Sequence, residues 1–139
     1  MASVQLEIMV NVSAASAWSA VRDFGRPHVR LAPGFVAETQ LTGDERIVTF
    51  ADGFSVAERL VDIDDTRLRL AYAAHGGRST HHNATIQVID LPPGTCRLVW
   101  ITDFLPDELR DHIAAMMDRG LNIMKRTLED MADPEGGSS

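Results

Sequence analysis

The residue best placed to do chemistry is Glu58, in the run Val56-Ala57-Glu58-Arg59-Leu60. Alternation along a strand puts its carboxylate on one face with Val56 and Leu60. Burial raises a carboxyl pKa, and a raised pKa makes a useful general acid or base. The same position also suits anchoring a ligand's polar head, directly or through water, or a structural ion pair with Arg46. His82 is the second catalytic candidate. Facing inward, it donates to a carbonyl, shuttles a proton, or is simply a satisfied interior histidine. His81 and His82 are adjacent on a strand, so their side chains leave opposite faces and cannot readily chelate one ion. Tyr72, the only tyrosine, offers either a hydroxyl to a ligand or ordinary core packing. Arg46 either offsets Glu58, holds an acidic ligand group, or snorkels to solvent. His112 and His28 sit where a cavity mouth or plain surface would be.

These side chains need elements to position them. Val4–Val12 alternates and reads as a half-buried strand. Ser13 is placed as an N-cap for a helix over Ala14–Phe24, stopped by Gly25-Arg26-Pro27, and His28–Leu31 adds a helical turn. From Phe35 the period becomes two. Strands are predicted at Phe35–Leu41, Arg46–Ala51, Ser55–Ile63, Arg67–Ala74, Thr80–Ile89 and Cys96–Phe104, with short turn signals between them that favour antiparallel neighbours. The inward sets are Arg46, Val48 and Phe50; Val56, Glu58 and Leu60; Leu68, Leu70 and Tyr72. They continue with His82, Ala84, Ile86 and Val88, then Leu98, Trp100, Thr102 and Phe104. A bulge would move a whole set to the other face.

Leu105–Ala132 is the one long helical pattern, opened by Pro106 with Asp107 and Glu108 in its first turn. Leu109, Ile113, Met116, Met117, Gly120, Leu121, Met124, Leu128 and Met131 fall on one broad face. Methionine fills irregular space, and a glycine inside a helix costs about 1 kcal/mol relative to alanine, which implies a packing or space-making reason. A helix with this face, laid across a curved sheet, would close a cavity. Phe50, Trp100, Thr102, Ala84 and Tyr72 are then expected on its sheet side. Met116, Met117, Gly120 and Met124 are expected on its helix side.

The 139 residues carry a net charge of −7, from 13 basic and 20 acidic side chains. That balance disfavours nucleic acid and an anionic membrane surface as partners. One cysteine, Cys96, rules out an internal disulfide, has no His/Asp partner set for thiol catalysis, and is compatible with a cytoplasmic location. The N-terminus lacks the regions of a signal peptide, and no apolar run approaches membrane-spanning length. Gly76-Gly77 is a turn rather than a phosphate loop, and Asp62, Asp64 and Asp65 read as a solvated turn rather than a calcium site. No zinc or cation-loop pattern occurs, so neither metal nor cofactor is expected. The fold class is α+β, with one domain over 1–132 and a flexible tail over 133–139.

The order of these motifs resembles the helix-grip superfamily of START-like lipid-transfer domains, polyketide cyclase/dehydrases, birch-pollen-type allergens and abscisic-acid receptors. The matching stretches are Ser13–Pro33, Asp52-Gly53 with Val56–Leu60, Asp64-Asp65, Gly76-Gly77, Ala84–Val88, Trp100 through Phe104-Leu105-Pro106, and Leu121–Glu129. The resemblance implies a seven-stranded antiparallel sheet gripping the C-terminal helix around an apolar cavity. It also implies that Glu58 points into that cavity, with His82 at a position held by an aromatic or polar residue. The gate loop would be Ala51-Asp52-Gly53-Phe54, which is short here, and the receptors' gate motif and cavity lysine are not evident. The likeness is closest to cyclase/dehydrase-type members. Three readings follow. One is a carrier or sensor for an apolar or aromatic molecule (polyketide, lipid or terpenoid-like). The second is a cofactor-free cyclase/dehydratase using Glu58 or His82. The third is an interaction module built on the apolar helix face.

Overall fold

The computed structural model describes residues 1–132, so the tail expected over 133–139 lies outside the described residues. Seven strands form one antiparallel sheet: β1 (Ala2–Val10), β2 (Val36–Thr42), β3 (Glu45–Phe50), β4 (Ser55–Asp64), β5 (Arg69–His75), β6 (His81–Leu91) and β7 (Thr95–Leu105). Their order across the sheet is β1-β7-β6-β5-β4-β3-β2. From β2 to β7 each strand lies beside its sequence neighbour, as short turns require. Only β1 is displaced. Two helices, α1 (Ala14–Val21) and α2 (Pro27–Arg30), carry the chain from β1, on one edge, to β2 on the other. The long helix α3 (Arg110–Ala132) completes the helix-grip fold expected from the sequence.

Local chemistry sets the boundaries. Ser13 caps α1 by accepting the Ser16 N–H at 3.1 Å. The helix ends at Val21, short of the predicted Phe24. β5 begins at Arg69 rather than Arg67, because Leu68 turns into the left-handed region at φ 56°. Leu68 therefore belongs to the turn and not to the inward strand set. A bulge between Leu60 and Asp62 shifts the parity of β4, which puts Ile63 opposite Leu70. The final helix does not start at Pro106. A 3-10 turn over Asp107–Leu109 comes first and α3 follows from Arg110.

Edge strand β1 is strapped to α3 along its length. Arg110 donates to the Ser3 carbonyl at 3.0 Å, Lys125 to the Met9 carbonyl at 2.9 Å, and the Asn11 N–H to Glu129 at 2.8 Å. The distances along the two elements agree. Six strand residues from Ser3 to Met9 span about 20 Å, and fifteen helix residues from Arg110 to Lys125 span about 22 Å. Strand and helix therefore run side by side, and α3 shields an edge that would otherwise offer unpaired backbone groups.

Apolar side chains from both layers form the core. Leu98, Trp100, Thr102 and Phe104 of β7 are buried, as are Ile113, Met117, Leu121, Met124 and Leu128 of α3. Burying each large apolar side chain contributes about 1.5–3 kcal/mol. Met131, expected on the same helical face, is exposed; it lies two residues beyond Glu129, whose carboxylate makes the tie to the Asn11 N–H just past β1. No helix among the described residues is long and apolar enough to cross a membrane.

Candidate functional site

Sheet and helix do not fill the space between them. They enclose a cavity of about 440 Å³, within the usual range for small-molecule sites. Its sheet wall is built by alternation: Arg46, Val48 and Phe50 from β3, Val56 and Glu58 from β4, Leu70, Tyr72 and Ala74 from β5. His82 and Ile86 from β6 and Trp100 and Thr102 from β7 complete it. Ile113, Met116, Ile123 and Met124 of α3 form the roof.

Glu58 and Arg46 form the inner polar group, both about 8% exposed. They are directly opposite in the β3–β4 register, so strand pairing alone brings them together. Arg46 is fully committed. Its Nε donates to Glu58 Oε1 at 2.8 Å, its Nη2 lies 2.7 Å from the same oxygen, and its Nη1 donates to the Phe24 carbonyl at 3.0 Å. That carbonyl lies beyond the end of α1, so no intrahelical N–H claims it. The guanidinium also stacks 4.0 Å from the Phe24 ring centroid and 5.3 Å from that of Tyr72. Arg46 therefore neither snorkels to solvent nor stands free for an acidic ligand. Glu58 Oε2 makes no hydrogen bond among the described residues.

Tyr72 is buried against this pair. Burial raises its hydroxyl pKa, the Glu58 carboxylate raises it further, and Arg46 and the Trp100 N–H oppose the rise. Its hydroxyl thus stays protonated and available as a donor. The Trp100 N–H is close enough to influence Tyr72, yet among the described residues it makes no hydrogen bond of good geometry and is a buried donor without a partner. Burial lowers the pKa of His82; the Glu58 charge opposes this and His81 adds to it. His82 is therefore a neutral imidazole on the cavity wall at pH 7.

Three residues expected to contact a ligand are not on the cavity lining. Ala84 and Met117 are buried in the core. Gly120 serves close packing instead. A Cβ there would lie 3.1 Å from both the Phe35 and Trp100 rings, so its absence lets the two aromatics pack against the helix. Other lining residues were missed. Phe35 precedes β2 and meets Phe50 edge-on, with ring centroids 5.4 Å apart. Phe54 and Arg78 lie at the mouth, where loop geometry rather than periodicity decides what faces in, and Arg119 reaches it from the exposed side of α3. His112 also lines the opening while remaining exposed, whereas His28 does not line it.

The mouth is framed by the β3–β4 turn and the β5–β6 loop. Asp52 accepts the Phe54 N–H at 3.0 Å, which shapes the first of these. The Phe54 ring then lies over Gly77, where a Cβ would come within 2.7 Å of it. Gly77 also has φ 73°, so both conformation and contact require glycine.

With this geometry established, comparison with known proteins gives the family. The chain belongs to the polyketide cyclase / dehydrase and lipid transport family, whose model matches residues 1–132. No curated protein matches the sequence. Among solved structures, it is similar to an uncharacterised protein from Bacillus thuringiensis, with TM-score 0.82 and 20% identity over 91% of this chain and 98% of that one. It is similar to the di-domain ARO/CYC BexL from the BE-7585A biosynthetic pathway, with TM-score 0.82 and 14% identity. That match covers 97% of this chain and 48% of BexL, so this chain spans about half of it. Norcoclaurine synthase from Thalictrum flavum, solved with dopamine and hydroxybenzaldehyde, gives TM-score 0.69 and 17% identity over 94% of this chain and 85% of the enzyme. At these identities the structural likeness shows the fold.

Proposed function

We propose that this chain binds an apolar or aromatic small molecule, of polyketide, lipid or terpenoid-like character, and acts as a carrier or sensor. The observation that carries this reading is the 440 Å³ hollow, walled mainly by apolar side chains. At its inner side an ion pair is already neutralised within the protein. Glu58 Oε2 and the Tyr72 and Thr102 hydroxyls are the groups that would fix an uncharged polar group of the ligand, such as a hydroxyl or carbonyl. His82 is a further hydrogen-bonding group on the same wall.

Two experiments test it. Native mass spectrometry of the protein purified from its own host should find a co-purifying small molecule. In vitro, 1-pyrenebutanol should bind saturably. Ala74→Phe, which fills the cavity opposite Glu58, should weaken that binding at least about tenfold without unfolding the chain. Binding that never saturates, or that ignores the added ring, would sink the reading.

A second reading is kept for one feature. Glu58 Oε2 is unengaged on the same wall as a protonated Tyr72, which suits cofactor-free proton transfer of the cyclase/dehydratase kind. Turnover of a bound substrate, lost in Glu58→Gln with binding retained, would favour it.

A further inference from the structure

The two ends of the cavity differ in their charges. At the inner wall all three Arg46 nitrogens are used by Glu58 Oε1 and the Phe24 carbonyl. The charged atom left without a partner there is Glu58 Oε2. An anionic ligand group pushed to that end would meet like charge in a poorly screened interior, with no free cation to receive it.

The mouth is the reverse. Arg78, from the β5–β6 loop, and Arg119, from α3, both line the opening and are exposed. Neither guanidinium takes part in an ion pair among the described residues. His112, two turns before Arg119 on α3, lines the same opening. The acidic group on this rim is Asp52, whose Oδ1 already accepts the Phe54 N–H. In a chain with 13 basic and 20 acidic residues, two uncompensated arginines at one opening run against the overall charge.

We propose that the ligand also carries an anionic group, a carboxylate or phosphate monoester, and that it enters uncharged end first and leaves its charge at the mouth on Arg78 and Arg119. This rests on the binding reading above and adds ligand class and orientation to it. Arginine's planar fork suits either anion.

The test compares probes that share one apolar body: 1-pyrenebutanoic acid, 4-(1-pyrenyl)butyl phosphate and 1-pyrenebutanol. At low salt the anions should bind about fivefold more tightly than the alcohol, the scale of two partly exposed ion pairs. The preference should appear despite the net negative chain and should shrink in high salt. Whichever anion binds more tightly names the head group. Arg78→Gln/Arg119→Gln should raise the anions' Kd to that of the alcohol in the same variant, with an unchanged circular dichroism spectrum. Binding of both anions no tighter than that of the alcohol by the wild-type chain overturns this inference alone, as does a preference that survives in the double variant. If no probe binds, the cavity-binding reading itself falls.

Discussion

Removing the negative charge of Glu58 would leave the Arg46 guanidinium buried with only neutral acceptors, the Phe24 carbonyl and any amide oxygen put in place of the carboxylate. Breaking a buried pair from one side is far costlier than removing both charges. Glu58→Gln should therefore lose about 3 kcal/mol of stability in urea unfolding. Arg46→Leu/Glu58→Leu should recover most of that loss, while leaving the Phe24 carbonyl without its donor. If the single and double variants are equally unstable, the pair is not what holds this end of the cavity. The same coupling means that any activity lost in Glu58→Gln must be judged against its stability. Gly120 makes a related point about single residues. The helical pattern shows that a glycine is there for a reason, but the reason, two aromatic rings from distant parts of the chain, is a tertiary fact.

At the scale of elements, α3 is held to β1 partly through Glu129. Burial alone would raise the pKa of this carboxyl, but the Lys125 ammonium at 2.7 Å and the Asn11 N–H outweigh that and hold it below the usual value of 4.5. A depressed folded pKa stabilises the fold above pH 4.5, and that contribution disappears as pH falls through the lowered value. Glu129→Gln should therefore flatten the dependence of Tm on pH below 4.5; an unchanged slope would show that the strap contributes nothing there. Such cross-element ties were the least legible part of the sequence. Period-two and helical patterns located all seven strands and the long helix, most clearly where a strand has one wet and one dry face, as in β1 and β7. Those patterns also put Glu58 opposite the apolar helix. They did not reveal that Asp65, in an acidic turn, accepts the Trp18 indole N–H at 2.8 Å and the Arg22 Nε–H at 2.8 Å, joining α1 to the β4–β5 turn. Nor did they reveal which loop residues surround the mouth, since loops have no periodicity to read.

For the molecule as a whole, a hollow between sheet and helix implies that the empty fold forgoes contacts that an occupant would restore. Ligand binding to the folded state alone should raise unfolding free energy by about 2.7 kcal/mol at a hundredfold excess over Kd. Thermal unfolding of the wild-type chain with and without 1-pyrenebutanol checks this, and at the same concentration the Ala74→Phe chain should gain at least about 1.3 kcal/mol less. Cys96 offers a separate practical consequence. It is the only cysteine in the sequence, has no exposed surface, and burial, then the Asp90 charge, push its thiol pKa up. Native protein should thus be nearly silent toward maleimide reagents, which attack through the thiolate. A cysteine introduced on the rim could be coupled to a dye or spin label at that one place, without first deleting the natural thiol.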